Sequence, residues 1–80
     1  MRNDIRIGSS LVYIFDDEND KKRQMVEQAL IDLGIDAWLE YCERRIHRDY
    51  VLDIYEFVNH DGPVELTEDE VEKIRKYLLR

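Results

Sequence analysis

The sequence predicts a small two-layer α+β sandwich in the order β-α-β-β-α, an antiparallel sheet with its helices on one face. Three observations carry this reading. Leu11-Val12-Tyr13-Ile14-Phe15 is apolar on both parities, as interior strands are. Two segments carry helical stripes with start and stop signals, Val26-Ala29-Leu30-Leu33 before Gly34 and Val71-Ile74-Leu78 after Thr67. Between them, residues 50–58 are dense in Val, Ile, Tyr and Phe, the residues that suit a pleated surface.

The first strand spans Ile5 to Phe15, and Gly8-Ser9-Ser10 marks a bulge or a hairpin break within it. Asp16-Asp17-Glu18-Asn19-Asp20 then supplies helix N-caps, and the helix runs from Glu18 to Leu33. Gly34 stands where a left-handed C-cap residue belongs. Residues 37–58 admit two readings. With period two they form a hairpin: a strand from Ala37 to Arg44, a polar turn from Arg45 to Asp49 and a second strand to Val58. With period 3.6, Leu39, Cys42, Ile46, Tyr50, Ile54 and Phe57 also make a stripe, so the alternative is a mostly α chain. The density of β-favouring residues after Tyr50 decides for the hairpin. His60-Asp61-Gly62-Pro63 is a turn. Thr67 and Glu70 then form a capping box, with Leu66 stapled to Val71, and Asp69/Lys73 and Glu72/Lys76 are favourable four-apart pairs.

Eighty residues with 12 basic and 19 acidic side chains give a net charge of −7 and room for one domain, residues 1–80. A chain of this mass buries only about 64% of its unfolded surface, too little for a deep cleft. No apolar run is long enough to span a bilayer, and Met1-Arg2-Asn3-Asp4 does not open a signal peptide. The single cysteine, Cys42, cannot close an internal disulfide, so a cytoplasmic protein is expected. Cys42, His47 and His60 lack zinc-site spacing. Asp16, Glu18, Asp20 and Glu27 echo a calcium loop, but Lys21 stands where its Gly must be. Neither metal nor cofactor is therefore expected. Ser9 and Ser10 lack a nucleophile context and Cys42 lacks a basic neighbour, so the protein is not expected to be an enzyme.

Three surfaces are candidates for binding. If Tyr50, Leu52, Ile54 and Val58 face the helices, then Val51, Tyr55 and Phe57, with Trp38, lie on a second sheet face that the chain cannot cover. A partner protein or a second copy is expected there. The acids Asp16, Asp17, Glu18 and Asp20 exceed what one cap needs and could compete for a basic nucleic-acid groove. The basic residues Arg44, Arg45 and Arg48 offer an alternative nucleic-acid contact, without the aromatic platforms of single-strand binders. The expected function is thus a small acidic protein-binding module that regulates or inhibits a larger protein, or a protein–nucleic acid complex, by occlusion. Virus-encoded inhibitors of host defence nucleases share this size and acidity. A nucleic-acid accessory protein and a structural homodimeric subunit are the alternatives.

Overall fold

A computed structural model describes residues 5–15, 19–46 and 51–79, with side chains for all of these except 19, 44–46 and 51. The elements are β1 (Ile5–Ile7), β2 (Leu11–Ile14), α1 (Asn19–Asp32), β3 (Trp38–Ile46), β4 (Val51–Asn59), β5 (Gly62–Pro63) and α2 (Glu68–Leu78). One antiparallel sheet has the order β1-β2-β4-β3, and β5 also pairs with β4. The β-α-β-β-α order therefore holds, and residues 38–46 and 51–59 are strands rather than a helix.

The N-terminal strand breaks at its flexible residues. Gly8 N–H donates to the Leu11 carbonyl at 2.9 Å, which turns β1 back on β2 through Ser9 and Ser10. That turn is then tied down from outside: Ser10 accepts from Phe57 N–H at 3.0 Å and Ser9 accepts from Leu66 N–H at 2.8 Å.

The helices start and stop where side chains satisfy their ends. At the end of α1, Ile35 N–H donates to Leu30 and Gly34 N–H to Ile31, a Schellman motif, with Gly34 at φ 73°. Thr67 accepts from Glu70 N–H at 3.1 Å while Glu70 accepts from Thr67 N–H at 2.9 Å, the expected capping box. Lys73 reaches Asp69 at 3.3 Å; Glu72 turns to Arg75, three residues on, instead of to Lys76. The Tyr77 hydroxyl donates to the Asp32 carboxylate and joins the two helices.

The core collects Val26, Ala29 and Leu30 of α1 and Val71 and Ile74 of α2. Against them stand Ile7, Val12, Ile14, Leu39, Tyr55 and Phe57 from the strands. Register explains the set: Ile7 faces Val12, Val12 faces Tyr55, and Leu39 faces Phe57, and directly opposed residues share a sheet face. The expected parity of β4 is therefore reversed. Tyr55 and Phe57 point toward the helices, and Ile54 and Val58 lie on the outer face. The physical reason is volume: the space under two helices is filled by the larger aromatic pair, and Phe57 is fully buried.

Phe57→Ala should therefore lower the unfolding free energy by about 3–5 kcal/mol, against well under half of that for Leu11→Ala on the outer face. Urea denaturation followed by circular dichroism measures both. Equal losses would contradict the assignment of faces.

Candidate functional site

The outer face of the sheet can be read row by row from its register. Arg6 faces Tyr13, Tyr13 faces Ile54, and Ile54 faces Glu43. The next row is Leu11, Glu56 and Glu40, and beyond it Pro63, Val58 and Trp38. On the other side of the first row, Leu52 faces Arg45. The outer face thus carries Leu11, Tyr13, Leu52, Ile54, Val58 and Trp38, with the acids Glu56 on β4 and Glu40 and Glu43 on β3 toward one side.

Trp38 closes one corner. It is 37% exposed, and its ring meets His60 edge-on with centroids 5.4 Å apart. Tyr13 and Leu11 are half-buried, whereas Ile54 and Val58 are buried. Two acids oppose each other directly, Glu40 and Glu56, an arrangement that destabilises a strand pair. Beside them sits a β-bulge, where the β3–β4 register slips between Tyr41 and Glu43 and Cys42 becomes the extra residue. The Cys42 thiol donates to the Ile54 carbonyl at 3.2 Å. Burial pushes its pKa above the ordinary thiol value, and the charges of Glu56 and Glu43 push it the same way. This thiol is poorly suited to nucleophilic work at neutral pH.

The inner face carries a second polar feature. Arg23 of α1 binds Asp20 at 2.8 Å and also pairs with Glu27, and the bond to Asp20 is the chief reason its guanidinium pKa is raised. Tyr55 lies close to it. Burial raises the Tyr55 hydroxyl pKa, Asp53 adds to this, and Arg23 opposes it. Tyr41 and Tyr55 meet edge-on at 5.4 Å, and the Tyr41 hydroxyl reaches Asp53 at 3.5 Å. Asp53 is only 3% exposed, the sole buried charged residue among those described. Sequence reasoning overlooked it, although an acid between Leu52 and Ile54 on the Tyr55 parity was the available signal. This group anchors the start of α1 over the sheet. Among the described residues, no three His, Cys, Asp or Glu side chains are placed to hold a metal ion.

The expected site residues scatter. Of the interface set, Trp38 is exposed on the outer face, but Tyr55 and Phe57 belong to the core and cannot anchor a partner on the second face. Val51 is at the far end of β4, opposite Ile46. Of the acidic patch, Asp20 lies in the first turn of α1, bonded to Arg23 and to Gln24 at 3.2 Å, and so serves its own helix. Asp16, Asp17 and Glu18 lie outside the described residues. The basic residues do not share a hairpin tip: β3 continues to Ile46, Arg44 opposes Asp53, and Arg45 opposes Leu52 on the other face. Arg48 lies outside the described residues. Tyr13 and Leu11 join the outer face from β2, opposite Ile54 and Glu56. Elsewhere, a shallow groove of about 380 Å³ runs between β1 and the end of α2, lined by Ile5, Arg6, Ile7, Arg75, Leu78 and Leu79.

Because its pKa is raised, Cys42 should remain protonated beyond the pH at which a free thiol ionises. Its alkylation rate against pH should rise later than that of a free cysteine, and Glu56→Gln should move the curve back toward neutral pH. A profile matching the free thiol would contradict the assigned surroundings. No protein-family model matches this chain, and searches of curated proteins and of solved structures find no similar protein.

Proposed function

We propose that this protein is a non-enzymatic, cytoplasmic protein-binding module that docks a larger partner on the outer face of its sheet. One observation carries the reading. Both helices place their buried residues in the cluster on the opposite face, and among the described residues Leu11, Tyr13, Leu52 and Trp38 of the outer face stay half-buried or exposed. Apolar surface of this kind, with a tyrosine and a tryptophan in it, favours a protein partner. The acids Glu56, Glu40 and Glu43 select a partner with a basic patch over the β4–β3 side of the contact. Tyr13 and Trp38 are the anchors, in place of Tyr55 and Phe57.

The role that fits a docking face of this kind is occlusion: the partner loses access to whatever it binds with that patch. A regulator or inhibitor of a larger protein, including a nucleic-acid-binding complex of the kind attacked by small acidic viral inhibitors, works in this way. Binding nucleic acid through Arg44 and Arg45 is the weaker reading, because adjacent strand positions point to opposite faces.

Tyr13→Glu and Trp38→Glu should each abolish stoichiometric capture of the partner from native lysate while the circular dichroism spectrum is kept. Ile31→Glu, at a 71% exposed position on α1, should leave capture intact. Capture that survives both outer-face substitutions, or that Ile31→Glu alone removes, would refute the docking face.

A further inference from the structure

We propose that the β1 edge takes an extended peptide of a partner protein as one more antiparallel strand, with an acidic residue set between two apolar ones. This edge lies at the opposite end of the sheet from Trp38, and the inference does not rest on the docking face.

The backbone of β1 is directed for such an addition. Gly8 N–H bonds to the Leu11 carbonyl, so Gly8 and Leu11 form a hydrogen-bonded pair of the β1–β2 hairpin. Along the register, Arg6 and Tyr13 are the next such pair. Ile5 and Ile7 stand in the alternate positions, whose N–H and carbonyl groups point away from β2. The other side of β2 agrees: Phe57 N–H bonds to Ser10, and by the same alternation Val12, the residue facing Ile7, bonds toward β4. The Ile7 carbonyl already accepts a donor from outside the sheet, the Arg75 guanidinium at 2.7 Å. A donor on that side therefore reaches the edge, and an added strand presents its N–H groups from the same direction.

The side chains state what the strand must be. Ile5 and Ile7 pack on the inner face, against the core, and Arg6 stands on the outer face beside Tyr13. On the inner side the edge borders the groove of about 380 Å³ that it forms with Arg75, Leu78 and the C-cap residue Leu79 of α2, and Leu79 is 84% exposed. Residues of the new strand opposite Ile5 and Ile7 share that face and set apolar side chains into the groove. The residue between them meets Arg6, which is exposed and makes no ion pair among the described residues, on a chain of net charge −7. An acid there matches it. Glu72, paired with Arg75 at 3.3 Å, belongs to α2 on the inner side, away from that acid. A second copy of β1 is the wrong occupant: the register that matches Ile5 with Ile7 of the other copy sets two Arg6 side chains opposite each other.

The probe is a short, end-blocked, fluorescently labelled peptide with a central Val-Glu-Val, titrated with the protein and followed by anisotropy. It should bind, and lysine in place of its glutamate should weaken binding about fivefold or more, a preference that Arg6→Glu reverses. N-methylation of either valine removes an N–H aimed at Ile5 or Ile7 and should abolish binding. N-methylation of the glutamate, whose N–H points away from β1, should be tolerated. Leu79→Ser should weaken binding with the circular dichroism spectrum kept. Trp38→Glu should leave it unchanged, which separates this edge from the docking face. No binding up to millimolar concentration, a charge preference that Arg6→Glu does not reverse, or loss on N-methylation of the glutamate but not of the valines would overturn the proposal.

Discussion

Phe57 joins the parts of this molecule. Its side chain is fully buried between the sheet and the helices, its N–H is given to the Ser10 turn, and its carbonyl takes Val64 N–H. One residue thus sets which face of β4 meets the helices, holds the N-terminal hairpin against the centre of the sheet and starts the path toward α2. Because side chains alternate along a strand, placing Phe57 inward also places Tyr55 inward and sends Ile54, Glu56 and Val58 outward.

The outer face follows from that choice. Among the described residues there are two helices, and the inner face uses the buried stripes of both. The outer face carries Leu11 and Tyr13 on β2, and Trp38 with the acids Glu40 and Glu43 on β3 beside Glu56 of β4. The hydrogen bonds of Phe57 run away from β3, to the Ser10 turn and to Val64, so the same residue also ties the N-terminal hairpin and the segment after β5 to the centre of the sheet.

Much of the architecture was legible because local signals agree with one another. Thr67 with Glu70, and Gly34 after Leu33, delimit the helices within a residue or two of where they lie. The hairpin over residues 38–59 followed from its β-branched and aromatic content, although a helical stripe ran through the same residues. The site was less legible. β4 is apolar on both parities, so period two leaves its orientation open, and the parity that turns Ile54 and Val58 inward places Tyr55 and Phe57 outside. The single-residue slip at Cys42 leaves no mark in composition, since a bulge exists only relative to the strand across from it.

By itself the sequence determined the class of fold, the positions of both helices and the net charge. Those are properties of short windows and of counts. The tertiary structure alone decided that Tyr55 and Phe57 lie inside, that Asp53 is buried beside Tyr41, and that Arg44 and Arg45 stand opposite Asp53 and Leu52 in the β3–β4 register. Each depends on pairing between residues far apart in the chain. Pairing is settled by packing volume and by exhausting backbone hydrogen bonds together, and no local pattern encodes either.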